Sequence, residues 1–379
     1  MPWKENDRLS LRREFVGLAS SDEANIRELC RRFGISAKTG YKWLNRFKES
    51  GDQGLRERSR RPARSPWRTS KSVEDEVLRL RERYPAWGGR KIAARLRMLG
   101  AVPPSPSTVT EILRRHGRLD PGESSKHKAW ERFERPKPND LWQVDFKGHF
   151  ATGEGRCHPL TALDDHSRFA LGLDACADER AQTAQTRMIE LFRRYGLPIE
   201  ILCDNGPPWG SAGTPGYTAF EVWLLRLGVS VTHGRPCHPQ TQGKDERFHR
   251  TLVAELLRFQ CFRDLQSCQK RFEEFRQTYN WERPHEALGM AVPGSRYTAS
   301  YRAYPEVLPP IEYAPGDPVR KVNEVGQIRY RMKTYRIGKG FSGYPVVLRA
   351  TNEDGLLKVM FCGHSIRTID LKATEVLDG

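Results

Sequence analysis

Helical spacing governs the first third of the chain. Ile26, Leu29 and Phe33 fall at i, i+3 and i+7 on one face, and Gly34 ends that run. Ser36 is placed to cap a second helix that turns either Tyr41, Leu44 and Phe47 or Trp43 and Phe47 inward. Two short helices around a Gly-containing turn, the second one basic, predict a helix-turn-helix with Lys38, Thr39, Lys42 and Arg46 on its groove-facing side. The pattern then repeats. Val73, Val77 and Leu80 make one stripe and Ile92, Leu96 and Leu99 another, joined by residues 87–92, and Ser107 or Thr108 caps a helix carrying Val109, Ile112 and Leu113. The expected all-α units are a helix-turn-helix with a basic linker over residues 1–65 and a second helix-turn-helix over 66–120. A polar, proline-punctuated linker follows over 121–138.

Past that linker the period changes from helical to two. Trp142, Val144 and Phe146 alternate with Leu141, Gln143 and Asp145, so a strand presents Asp145 opposite its more apolar face. Residues 158–165 and 166–176 read as the next two strands of an antiparallel meander, with Asp164, Asp165 and His166 at the turn. A helix bearing Ala181, Ala184, Met188, Leu191 and Tyr195 stops at Gly196 and Pro198, and a short strand then ends in Asp204. Beyond a Pro- and Gly-rich loop at 207–216, a helix carries Phe220, Leu224 and Leu227 to Gly228, and one more strand leads into HPQTQGKDERFHRTL, residues 238–252. There Phe248, Leu252, Leu256 and Phe259 form an apolar stripe, and a later helix turns Leu265, Cys268, Phe272, Phe275 and Tyr279 inward. This order predicts an α/β domain over 139–300, a mixed five-stranded sheet with helices on its faces. Short β-rich runs with frequent Gly turns predict a small all-β barrel over 310–379.

Charge sharpens the division into domains. The chain of 379 residues has a formal net charge of +17, but residues 1–139 hold 33 Lys and Arg against 18 Asp and Glu, while 140–300 hold 19 against 20. A basic excess confined to one third points to a polyanion-binding module beside a differently employed centre. Arg58, Arg60 and Arg61 lie in an arginine-rich tether suited to DNA phosphates. Eight cysteines without a CxxC pair read as reduced thiols, and His233, Cys237 and His238 lack the second ligand pair of a structural zinc site. No apolar run is long enough to span a membrane and no secretory h-region is visible, so a cytoplasmic, nucleoid-associated protein is expected.

The layout sets Asp145 on the first strand, Asp204 at the end of the fourth and Glu246 on a following helix. Carboxylates converging from separate elements can hold two divalent ions about 3.5–4 Å apart for phosphoryl transfer. Mg²⁺ suits such oxygen ligands because it retains waters and substrate phosphates as its remaining partners. Taken singly, each acid reads equally as a solvated strand end or helix face.

Residues 139–300 resemble the integrase catalytic core of insertion-sequence DDE transposases, relatives of retroviral integrases. The resemblance is carried in order by LWQVDFKG, LTALDDHSRF, ILCDNGPPW, LGVSVTHGRPCHPQTQGKDERFHRTL and YNWERPHEAL, and the tandem helix-turn-helix with its GLRERSRRP connection looks like the same group's DNA-binding half. It implies a ribonuclease-H-like fold, with Asp145, Asp204 and Glu246 as the three catalytic, metal-binding acids. Two Mg²⁺ ions, with Mn²⁺ as a substitute, would be the cofactor. The 41 residues between Asp204 and Glu246 exceed the usual spacing in several related families, a surplus that loop 207–216 accommodates. Asp245 is set aside as a neighbour, and Lys244, Arg247 and Arg250 become phosphate-contact candidates. Arg283 and His285 are structural or DNA-facing. The implied function is a DNA transposase that binds terminal inverted repeats, cleaves the element's 3′ ends and joins them to target DNA. A homodimer or larger synaptic complex would be its working form. The alternatives are a catalytically inactive DNA-binding regulator and a ribonuclease-H-like nuclease that only hydrolyses.

Overall fold

The computed structural model describes residues 8–57, 69–119, 134–210, 216–234 and 243–372, and the chain divides into two compact units, Met1–Arg68 and Thr69–Gly379. Arg58, Arg60 and Arg61, most of the linker and the Gln240–Gln242 approach to the opening helix turn lie outside the described residues.

The first unit is three helices: α1 (Arg8–Ala19), α2 (Ile26–Arg32) and α3 (Ala37–Gly54). Ser36 caps α3 as expected, its hydroxyl accepting from the Thr39 N–H at 3.2 Å. Trp43 and Leu44 are buried against Phe15 and Val16 of α1, a helix the periodicity did not announce. Tyr41, offered as an inward residue, is 46% exposed because Gly40 occupies the crossing point instead. A side chain at Gly40 would collide with Cys30 Sγ and the Phe15 ring, so only glycine lets α3 lie this close.

In the second unit, α4 (Lys71–Arg83), α5 (Gly89–Met98) and α6 (Pro106–Arg115) enclose Val77, Trp87, Ile92, Val109, Ile112 and Leu113. The cap of α6 is Ser105, with Pro106 opening the helix, rather than Ser107 or Thr108. Leu99 ends up outside the stripe and exposed, since α5 stops at Met98.

The central sheet comprises β1 (Leu141–Phe146), β2 (Phe150–Thr152), β3 (Gly155–Asp164), β4 (Ala170–Cys176), β5 (Glu200–Cys203) and β6 (Ser230–His233). Its order is β4-β3-β1-β5-β6, with the short β2 added along the start of β3; β1, β3 and β4 are antiparallel and β1, β5 and β6 parallel. α7 (Ala181–Tyr195) and α8 (Ala219–Arg226) cover one face through Met188, Phe192 and Leu224 on Trp142 and Val144. α9 (Gly243–Glu255) and α10 (Leu265–Trp281) cover the other through Phe248, Leu252, Phe272 and Tyr279 on Leu163 and Leu173. This is the ribonuclease-H-like arrangement that the resemblance to integrase cores implies. Phe259 leaves the expected stripe, 54% exposed, because α9 ends at Glu255 and the chain tightens into a 3₁₀ turn.

The C-terminal region is all β: β7 (Val319–Lys321), β8 (Gln327–Tyr330), β9 (Lys333–Arg336), β10 (Pro345–Ala350), β11 (Leu356–Phe361) and β12 (His364–Asp370). Strands β12-β11-β10-β7 make an antiparallel sheet and β8-β9 a separate hairpin, around one core that includes Val222 and Leu225 of α8. The C-terminal strands are thereby built onto the integrase core through α8.

Candidate active site

β1 and β5 run parallel with Gln143 opposite Leu202. Two residues further along each chain this register sets Asp145 beside Asp204, their side chains on the sheet face that α9 covers. Neighbouring parallel strands lie about 4.8 Å apart, so the two carboxylates repel. Burial first, and Asp204 second, raise the Asp145 pKa to about 7. The Asp145 backbone is held in turn: its carbonyl accepts from the Thr161 hydroxyl at 3.0 Å, and that oxygen lies 2.9 Å from His249 Nε2. Burial, with Lys147 nearby, depresses the His249 pKa to about 4, so its ring is neutral at ordinary pH.

Glu246 does not complete a triad here. It is exposed on the first turn of α9, and among the described residues no three His, Cys, Asp or Glu side chains converge as a metal-binding group. The inward position is held by Asp245, only 2% exposed, one turn before Phe248 and two before Leu252 on the apolar stripe. Burial drives its pKa well above the carboxylate range, with Asp145 and Asp165 adding to the rise, and its Oδ1 has no hydrogen-bond partner. Extending the Phe248–Leu252 stripe back by three residues would have shown that Asp245 faces inward.

Two further acids taken as turn residues are fully buried. Asp164 accepts from the Ser167 and Asn139 N–H groups at 2.8 and 2.7 Å. Asp165 accepts from the Arg135 N–H, from Gln143 Nε2 and from Lys244 Nζ. Lys244, offered as a phosphate contact, is paired with Asp165 in this structure. It is drawn inward by Asp165, and burial lowers its pKa to about 8. Arg247 and Arg250 remain exposed on α9.

At the same end of the sheet, on β6, His233 Nδ1 lies 2.9 Å from the Asp204 carbonyl and Nε2 lies 2.8 Å from Glu221 Oε1. The Glu221 hydrogen bond is the main reason the His233 pKa is raised. Arg283 and His285 resolve as structural. Arg283 donates to Glu255 at 2.9 Å and lies 3.4 Å from the His285 ring, whose pKa burial depresses well below the usual histidine range.

Glu255 was not singled out in the sequence, yet it also accepts from Trp87 Nε1 at 3.1 Å and Lys91 Nζ at 3.4 Å. Glu282 accepts from the Tyr84 hydroxyl and from Arg95 at 2.8 Å. Two acids thus hold the α4–α6 helices against α9 and α10.

On α3, Lys38 and Lys42 project to solvent, Thr39 is partly buried beside Ser36, and Arg46 stacks on Trp43 with its guanidinium 5.1 Å from the ring centre.

Comparison with known proteins agrees with this architecture. Integrase core domain families match residues 135–239 and 227–293. A helix-turn-helix domain family matches 11–63 and a homeodomain-like domain family 39–113. Stretches of the chain thus match integrase-core and helix-turn-helix domain families. More particularly, residues 317–377 match the C-terminal domain of IS481 family transposases. An uncharacterized 39.2 kDa protein of insertion element IS476 from Xanthomonas euvesicatoria is 28% identical over 167 residues, 44% of this chain and 46% of that one. An uncharacterized 31.7 kDa protein of insertion element IS407 from Burkholderia multivorans is 27% identical over 168 residues, 44% of this chain and 57% of that one. The chain spans about half the length of these relatives. Among solved structures, the catalytic core domain of BIV integrase is 23% identical, covering 41% of this chain and 92% of that one with a TM-score of 0.31. The HTLV-2 integrase catalytic core domain in complex with magnesium is 16% identical, covering 43% and 99% with a TM-score of 0.33.

Proposed function

We propose that the protein is an insertion-sequence transposase of the polynucleotidyl transferase class that cleaves the element's 3′ ends and joins them to target DNA. The observation that carries this reading is the pairing of Asp145 and Asp204 at adjoining strand ends, with the Asp145 carboxyl raised to about 7. Among the described residues, neither carboxylate is paired with a lysine or arginine. A close acid pair left without a side-chain counter-ion fits a divalent cation. Asp145 and Asp204 would hold Mg²⁺ or Mn²⁺, joined by Glu246 through the resemblance of the GKDERF stretch. Two bound divalent ions would activate the attacking oxygen and stabilise the leaving one.

The remaining chain binds and orients DNA. Lys38, Lys42 and Arg46 of α3, with Thr39 at its start, would meet the terminal inverted repeat, and Arg58, Arg60 and Arg61 would follow the phosphates beyond it. Arg247 and Arg250 would fix the scissile strand over the acids. A water first attacks at each 3′ end, and the freed 3′-hydroxyl then attacks target DNA in line, with no covalent protein intermediate. Two ends and a second protomer would meet in a synaptic complex.

The experiment is cleavage and joining of labelled element-end DNA with a supercoiled target in Mg²⁺. Joined products are expected, and Asp145→Asn, Asp204→Asn and Glu246→Gln should each abolish them while end binding persists. Nicks without joined products would indicate a hydrolytic nuclease, and single variants that still cleave and join would defeat the assignment.

A further inference from the structure

Asp204 directly follows β5 and leads into a loop, a position from which a carboxylate would ordinarily swing. The structure instead pins this strand end from β6. Cys203 pairs with His233 in parallel register, the Gly234 N–H donates to the Cys203 carbonyl at 3.2 Å, and Asn205 Nδ2 donates to the Gly234 carbonyl at 2.7 Å. The His233 ring adds a contact of a different kind. Its Nδ1 lies 2.9 Å from the carbonyl of Asp204 itself, and its Nε2 lies 2.8 Å from Glu221 Oε1. Held at both ring nitrogens, the imidazole cannot rotate without breaking one of these contacts.

Glu221 is equally fixed. It is 4% exposed, and its other oxygen accepts the Thr218 N–H at 2.6 Å while the Thr218 hydroxyl accepts from the Glu221 N–H. This reciprocal cap anchors the acid in the first turn of α8. The same helix is gripped on both sides, by the sheet core through Phe220 and Leu224 and by the C-terminal core through Val222 and Leu225. A cap alone would not require the second carboxylate oxygen to face an imidazole, nor the imidazole to reach the carbonyl of an acid at the site.

We propose that Glu221 and His233 are positioning residues for Asp204, a rigid relay from α8 that sets the direction in which the Asp204 carboxylate meets a divalent cation. This rests on the reading of Asp204 as a metal ligand. Partners that orient a metal ligand are commonly worth 10–100-fold in metal affinity.

The test is calorimetric titration of Mn²⁺ into the purified full chain without DNA, with melting temperature measured alongside. His233→Phe, which keeps the ring volume and removes both ring nitrogens, should weaken Mn²⁺ binding about tenfold. Glu221→Gln, a milder change that keeps the helix cap, should weaken it in the same direction and serves if the phenylalanine variant does not fold. Met188→Ala in α7 is the control for loss of stability alone and should leave Mn²⁺ affinity unchanged. Asp204→Asn should remove binding. Wild-type affinity in both the His233 and Glu221 variants, with binding lost in Asp204→Asn, would overturn the relay and leave the metal site standing. Undiminished binding in Asp204→Asn would overturn the metal reading and the relay with it.

Discussion

Asp245 approaches Asp145 from helix α9, and each carboxyl is held above its ordinary pKa in part by the charge of the other acids around it. The folded protein keeps a proton on Asp245 at a pH where the unfolded chain has lost it. Its contribution to stability is therefore full below about pH 4, where both states are protonated, and is lost as pH rises above that value. Asp245→Val, which extends the Phe248–Leu252 stripe, should raise stability by about 1–3 kcal/mol at pH 8 in chelator, through removal of a buried unsatisfied acid. The gain should shrink near pH 4, where the unfolded chain also keeps the proton and only the cost of the unsatisfied polar group remains, and urea denaturation at the two pH values measures it.

The raised pKa of Asp145 also sets a pH dependence for cation binding. A proton and a metal ion compete for the same carboxylate. Below about pH 7 the proton occupies Asp145, so the Mn²⁺ concentration for half-saturation should fall about tenfold per pH unit from pH 5.5 to 6.5 and level off above pH 7.5. Titration calorimetry across this range checks it, and an affinity flat from pH 5.5 to 8 would remove Asp145 from the ligand set.

The elements that could be read directly from the sequence were those with unbroken periodicity. β1, α7 and α10 repeat one apolar spacing along their length, so their inward faces were visible before any coordinates. The positions of Asp145 and Asp204 followed from strand order. Polar residues that take an inward position were not legible, because pattern reading assigns polar side chains to solvent. Asp164, Asp165, Asp245, Glu221 and Glu255 are all of this kind, and each is tolerated inside because a partner from a distant segment meets it or because it keeps its proton. Tyr41 and Leu99 erred in the opposite sense: a glycine crossing and an early helix end put apolar side chains outside.

Lys42 and Lys244 should separate cleanly in DNA binding. Lys42 is exposed on α3, whereas Lys244 is committed to Asp165. Lys42→Ala should weaken binding to any duplex and reduce the slope of log affinity against log salt by about 1, the signature of one lost phosphate contact. Lys244→Met should leave that slope unchanged but destabilise the fold by about 3–5 kcal/mol, since it leaves the buried Asp165 carboxylate without its cation. Filter binding at several salt concentrations and thermal melts distinguish the two. A reduced salt slope in Lys244→Met would return that lysine to the DNA surface.

Glu255 joins three groups that otherwise belong to different parts of the second unit: Trp87 and Lys91 of the helix-turn-helix, and Arg283 after α10. Lys91 keeps its place despite burial that lowers its pKa to about 8, and that burial leaves Glu255 as its compensating charge. Removing the acid strands two cations and an indole N–H in a desolvated seam, so Glu255→Ala should destabilise by about 3–5 kcal/mol. The loss should be local as well as global. Amide exchange in α5 should accelerate more than in α7, because α5 is the element whose side chains the acid holds. Glu255→Gln, which preserves an acceptor but not the charge, should fall between the wild type and the alanine variant. Equal acceleration of α5 and α7 would mean that Glu255 stabilises the integrase core rather than docking the second helix-turn-helix onto it.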